Sequence, residues 1–172
     1  MLKKQAKSKG NSASGRRIAI VASRYNARYV NSMLRAAKVE LTKVKATVEV
    51  VRVPGAFEIP AVASALALRL AKPVDAIVCL GVILRGETTH AEHIGQAVTD
   101  ALMQLQVDHT LPVIHEVLLL ENVDQAKKRC LDSGHNRGVE AAQTAIEMTR
   151  GGSGGRGGMD EDRRRASQWD RG

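Results

Sequence analysis

From residue 16 to residue 150 the chain alternates short apolar runs with longer stretches in which apolar residues recur three and four apart. The runs are near-continuous, which is the pattern of strands buried on both faces, and it implies a parallel sheet covered by helices. The first predicted strand is IAIVAS, Ile18 to Ser23. A helix over Ala27 to Lys43 follows, with Val30, Met33, Leu34, Ala37 and Leu41 on one stripe. TVEVVRV, from Thr47 to Val53, alternates more than the other runs and suits a sheet edge; Pro54 and Gly55 end it. The second helix is predicted from Ile59 to Leu70, where Pro60 is tolerated because the first turn has no i−4 hydrogen bond to lose. Asp75 to Leu84 reads as the third strand and Pro112 to Leu120 as the fourth, the latter interrupted by the polar pair His115 and Glu116. Between them a helix opens at Thr89 and continues through Ile94, Val98, Ala101, Leu102 and Leu105. Two last helices are expected, Val123 to Cys130 and Arg137 to Met148, separated by the turn DSGHN.

The start of the third helix concentrates chemistry. Thr89 and Glu92 have the spacing of a capping box, with Thr89 as N-cap and Glu92 reaching back. His90 then becomes the first helical residue, beside free backbone N–H groups and the positive end of the helix dipole, a place that favours an anionic ligand. A histidine there can accept and return protons near neutral pH. A helix start built only for stability would have the same residues, so other positions must weigh in.

They do so through the sheet. Ligands of parallel α/β sheets bind beyond the carboxyl ends of the strands, and the unusual residues fall at those ends: SRYN after the first strand, PGAFE after the second, RGETTH after the third. The last helical region adds Arg129 and Arg137. Aromatic residues are scarce, with Phe57 the only Phe, Trp169 the only Trp, and Tyr25 and Tyr29 the only Tyr. Two of these four at strand ends therefore stand out. One cleft can collect Tyr25, Phe57, Glu58, His90 and an arginine. Tyr25 and Phe57 suit stacking on a flat ring, and backbone groups near Ala56 and Val82 suit its polar edge. Thr88, the helix N-terminus and an arginine suit a phosphate. The chemistry so assembled is condensation or elimination on a phosphorylated small molecule, with neither metal nor nucleotide cofactor. Taken singly, each residue has a plainer role: Phe57 in the core, Arg129 on a solvated helix face, His115 as a satisfied core or interface histidine, Glu58 favouring its helix start.

Charge and cysteines narrow the class. Of the net charge of +8, the first fifteen residues hold +4 as four lysines with no acid, and residues 151–172 hold +1, five arginines against four acids. The central segment is left with +3. The basic N-terminal tail, residues 1–15, and the Gly/Arg-rich tail, residues 151–172, lack the apolar surface to order themselves. Such a lysine run reads first as a solvated tail and only second as a contact for RNA or another polyanion. Cys79 and Cys130 form no CxxC and no zinc-spaced set with histidine, consistent with a reduced, cytoplasmic protein. The N-terminal lysines precede no apolar core of a secretory signal, and no apolar run is long enough to span a membrane.

RYN at 24–26, VPGAFEIP at 53–60, LGVILRGETTH at 80–90, PVIHEVL, ENVDQAKKR and HNRGVEAA follow one another in an order that resembles the lumazine synthases of riboflavin biosynthesis, across nearly all of Arg16 to Met148. The resemblance implies a flavodoxin-like three-layer sandwich in one domain, residues 16–150, with a four-stranded parallel sheet. It implies a transferase-type condensing enzyme that joins 5-amino-6-(D-ribitylamino)uracil to 3,4-dihydroxy-2-butanone 4-phosphate, giving 6,7-dimethyl-8-ribityllumazine, phosphate and water without a cofactor. By position, Tyr25 would stack on the pyrimidine; Ala56, Phe57, Glu58, Val82, Ile83 and Leu84 would line the ring and ribityl pocket. Glu87 and Thr88 would contact the phosphorylated butanone, Arg129 its phosphate, and His90 would transfer protons. The resemblance also implies sites shared between subunits, a pentamer at least, a hollow shell of twelve pentamers in some members, and riboflavin synthase as a further partner. Departures stand at Arg137, where lysine is common, His115, where an aromatic is usual, Ala91, often aromatic, and His135, often glycine; Arg137 and His115 are retained as binding residues. The competing expectations are a structural shell protein with weak catalysis, its basic tail contacting nucleic acid, and a flavin- or phosphate-binding protein of the same fold.

Overall fold

The computed structural model describes residues 15–150; the tails read from composition lie outside them, Gly15 apart. Four strands and five helices alternate: β1 (Arg17–Ser23), α1 (Ala27–Lys43), β2 (Thr47–Val53), α2 (Ile59–Leu68), β3 (Ala76–Leu84), α3 (His90–His109), β4 (Val113–Leu120), α4 (Val123–Cys130) and α5 (Arg137–Met148). The strands are parallel in the order β2-β1-β3-β4. This is the expected flavodoxin-like α/β sandwich.

The sheet is apolar on both faces because each is covered. Ile18, Ile20, Ala22, Val78, Leu80 and Ile114 pack with α1, α4 and α5. Ala19, Val21, Ile77, Cys79, Val113 and Val117 pack with α2 and α3. Central strands β1 and β3 are almost wholly buried, as their unbroken apolar runs require. The alternating β2 lies at an edge, as its pattern predicts, while β4 forms the other edge despite its apolar run. Cys79 and Cys130 are both free and fully buried, Cys79 in the α2–α3 core and Cys130 in the opposite one.

Element ends follow polar side chains. The second helix stops at Leu68, short of Leu70, because Arg69 takes extended backbone and grips both oxygens of Glu49 on β2 at 2.9 Å. Asp75 precedes β3 instead of opening it: its carboxylate accepts the Arg17 N–H at 2.7 Å and pairs with Arg16. The first strand gains Arg17, and the fourth begins at Val113 rather than Pro112. Ala101, placed by its spacing on the inner stripe of α3, is exposed. On α5, Gly138 lets the helix meet α1 at backbone contact, since a Cβ there would lie 2.0 Å from the Met33 carbonyl oxygen.

Candidate functional site

Backbone hydrogen bonds tie the turns after β1 and β2 together, and a side-chain amide joins them to β3. The Arg24 N–H donates to the Val53 carbonyl at 2.8 Å and that of Tyr25 to the Pro54 carbonyl at 3.0 Å, so SRYN and PGAFE run side by side. Asn26 takes the left-handed conformation at the start of α1, with φ 54°, which asparagine tolerates better than most residues. From there its amide donates to the Val82 carbonyl at 2.8 Å, crossing to β3. Glu58 turns back to accept the Gly55 N–H at 2.8 Å, stiffening the turn before α2. Gly81 admits this turn against the sheet: a Cβ there would meet Ile59 at 3.2 Å and Ala56 at 3.5 Å.

Onto this frame the chain puts its two candidate rings. Tyr25 is 74 % and Phe57 61 % exposed, so neither belongs to the core, in spite of the general preference of phenylalanine for it. Ala56, Val82 and Ile83 are buried beneath and Leu84 is half-buried. Glu87, Thr88 and His90 are exposed at the start of the 20-residue helix α3. Aromatic faces beside free helix-end N–H groups suit a flat ring carrying, or lying next to, an anion.

The capping box expected at this helix start is absent. Thr89 stands at the N-cap, yet its side chain makes no capping bond, because its backbone (φ −72°, ψ 0°) is not the extended conformation that aims a threonine hydroxyl at the first turn. The Thr88 hydroxyl instead accepts the His90 N–H at 3.4 Å. Glu92 is drawn to Arg85, which also pairs with Glu121 at 3.3 Å. With the Arg85 N–H bonded to the Leu120 carbonyl, this arginine fastens the β3 end, the first turn of α3 and the β4 end together.

His115, Arg129 and Arg137 belong to a different part of the chain, the β4 edge and the helices after it. Among the described residues no hydrogen bond or ion pair joins either arginine to the turns that hold Tyr25 and Phe57. Along β4 the pleat sends His115 to the α3 side and Glu116 to the α5 side. His115 Nε2 lies 2.9 Å from the Thr99 hydroxyl, and burial lowers the imidazole's pKa below its ordinary value of 6.5. Glu116 is 6 % exposed and meets Arg137 in a two-point fork, Oε2 to Nε and Oε1 to a terminal nitrogen, each 2.9 Å. Burial pushes the Glu116 carboxyl up, with the Arg137 guanidinium opposing it. Burial also works against the charge on Arg137, but Glu116 and Glu140 outweigh it. Arg129 is exposed on α4 and close enough for its charge to reach Glu116.

Reasoning from sequence missed Asn26 as the clip between β1 and β3, Arg85 as the fastener of the third turn, and Glu116 as the partner of Arg137. Only the last left a signal: a carboxylate inside an apolar strand demands a cation. Among the described residues no group of histidine, cysteine, aspartate and glutamate could hold a metal ion, and no helix is long and apolar enough to cross a membrane.

Fold and strand-end surface together are those of an α/β protein suited to a small molecule beyond the carboxyl ends of its parallel sheet, where aromatic faces suit a ring and a helix start suits an anion. Residues 15–151 match the family model of 6,7-dimethyl-8-ribityllumazine synthase. The chain is 41 % identical over 135 residues to the 6,7-dimethyl-8-ribityllumazine synthase of Stenotrophomonas maltophilia strain K279a, covering 77 % of this chain and 86 % of that protein. Its counterpart from strain R551-3 is 40 % identical over the same lengths. The chain belongs to the 6,7-dimethyl-8-ribityllumazine synthase family.

Proposed function

We propose that this protein is an enzyme of riboflavin biosynthesis that condenses 5-amino-6-(D-ribitylamino)uracil with 3,4-dihydroxy-2-butanone 4-phosphate to give 6,7-dimethyl-8-ribityllumazine, phosphate and water. The observation that carries this reading is the exposure of Tyr25 and Phe57 on hydrogen-bonded turns at strand ends, next to the turn bearing Thr88 and His90, in a chain of this family. Tyr25 stacks on the pyrimidine, and Ala56, Phe57, Glu58, Val82, Ile83 and Leu84 line the pocket for the ring and its ribityl chain. Glu87 and Thr88 contact the butanone, and Arg129, assisted by Arg137, binds its phosphate.

The pyrimidine's primary amine attacks the butanone carbonyl and water leaves, forming an imine. A proton lost from the adjacent carbon lets the phosphate depart with its bonding electrons. The enol so formed takes up a proton at its terminal carbon and becomes a ketone, and the ribityl-bearing nitrogen attacks that carbonyl and closes the second ring with loss of water. His90 moves the protons, and no cofactor takes part. Much of the acceleration comes from holding two substrates together, with proton transfer adding to it.

The domain that carries this activity is residues 16–150, and the tails supply no site residue. His115, Arg129 and Arg137 complete the site of a neighbouring copy, which makes the working unit at least a pentamer. The turn CLDSGHNRG, without an insertion, fits assembly of twelve pentamers into a shell. The setting is the cytoplasm, where riboflavin synthase is the partner that consumes the product. Mixing the two substrates with purified protein and following lumazine absorbance tests the reaction, while sedimentation of the same sample tests the assembly. A protein that only binds flavin would absorb without forming product, and a monomer with full activity would end the shared-site reading.

A further inference from the structure

Arginine rather than lysine stands at position 137, and the structure shows what arginine achieves there. A lysine ammonium is a point charge on a flexible stem; a guanidinium presents two parallel N–H groups that match a carboxylate. Both are used, since Nε and one terminal nitrogen of Arg137 engage the two Glu116 oxygens at 2.9 Å each. The other terminal nitrogen meets Glu140, one turn along the same helix. Glu116 is rigid because it is buried on a strand, with a side chain 7 % exposed, whereas Glu140 is 48 % exposed on a helix surface. The buried partner therefore sets the direction of the guanidinium.

We propose that Glu116 is a positioning residue for Arg137: through the two-point fork it fixes the plane of the guanidinium at the β4 edge, so that the N–H groups not engaged by carboxylates point one way towards an anionic ligand. This rests on the assignment of Arg137 to the substrate site made above. A cation already held in one orientation loses less freedom when a ligand arrives, and so binds it more tightly than a free one. The idea makes a prediction of sign. If Glu116 merely reduced the positive potential around Arg137 and Arg129, removing its charge would strengthen the binding of an anion. If it positions Arg137, removal weakens it.

The test compares Glu116→Gln, nearly the same shape without the charge, with Arg137→Lys, which keeps the charge without the fork. Each variant should raise KM for the phosphorylated butanone roughly tenfold, the scale of a lost charge-assisted hydrogen bond, and proportionally more than it lowers kcat. KM for the pyrimidine should move little, and the double variant should be no worse than either single one. Calorimetric titration with inorganic phosphate, which needs no turnover, should show the same weakening. An unchanged or lower KM with unchanged or tighter phosphate binding overturns the proposal, as does an equal rise for both substrates. Should Glu116→Gln fail to assemble by sedimentation, Glu116→Asp takes its place, keeping the charge but withdrawing the fork: weaker phosphate binding supports the positioning role, and unchanged binding overturns it. Absence of lumazine formation by the unaltered protein would count against the proposed function, while the phosphate titration would still decide the role of Glu116.

Discussion

At the carboxyl ends of β1, β2 and β3 backbone bonds and the Asn26 amide hold the turns together and two aromatic side chains are left to solvent; along β4 and α5 charged side chains pair with one another. Tyr25 and Phe57 stand free on the first surface, while Glu116, Arg137 and Glu140 on the second form a chain of ion pairs. The difference follows from what each must hold. A stacking ring needs an unoccupied face and a fixed backbone, which hydrogen bonds between turns supply. A charge near a sheet needs a counter-charge, or burial would neutralise it.

Two glycines offer the harshest way to break this comparison. Gly138→Ala forces a Cβ against the Met33 carbonyl and should destabilise the fold by about 3 kcal/mol or more, at the upper end of overpacking costs, visible as a lower denaturation midpoint. Gly86, in the open turn, has nothing within 4 Å of its would-be Cβ, and Gly86→Ala should leave the midpoint nearly unchanged. Equal losses would show that the two regions are packed alike.

Chemistry separates them next. His90→Ala should slow lumazine formation by roughly ten- to a thousandfold with assembly intact, the range of general acid–base help, as turnover under saturating substrate would show. Unchanged turnover would remove proton transfer from the strand-end surface. Arg129→Ala should raise KM for the phosphorylated butanone well above any change for the pyrimidine, because a guanidinium clasps phosphate at two points. Similar changes for both substrates would make Arg129 structural.

The smallest effect is on acid stability. Burial lowers the His115 pKa below 6.5 in the folded chain, so the unfolded chain takes up the proton first. This residue's contribution is thus fully present above 6.5 and is lost as pH falls through the interval beneath it. The ring's hydrogen-bond partner is Thr99 on α3, and among the described residues no carboxylate is bonded to it. His115→Phe should reduce the loss of denaturation midpoint on passing below that pH. An unchanged slope would place the acid sensitivity elsewhere, for instance in Glu49, whose carboxyl is held low by its hydrogen bonds to Arg69.

Much of this arrangement was legible in the chain. The apolar runs predicted all four strands and the helical spacing all five helices, because burial on both faces confines polar residues to the ends of β1, Arg17 and Ser23, and leaves none in β3 to confuse the period. The strand-end clusters were legible too, since parallel topology alone brings those ends together. Pairings that depend on backbone angles were not: the spacing of Thr89 and Glu92 fits a capping box, but Arg85 attracts Glu92 and the N-cap conformation does not suit the bond. Nor could spacing place β4 at an edge, because strand order is a property that no local pattern encodes.

The two buried thiols supply reporters that require no engineering. Burial pushes the Cys79 thiol far up and that of Cys130 to about 11, so neither forms a reactive thiolate while the chain stays closed. Cys79 lies beneath α2 and α3, and Cys130 in the core formed with α1 and α5. An alkylating reagent therefore meets each only when its own side of the sheet opens, and the two labelling rates, resolved by mass spectrometry, become separate clocks for the breathing of the two layers. If the layers open independently the clocks will disagree; if the sandwich yields only as a whole they will keep the same time.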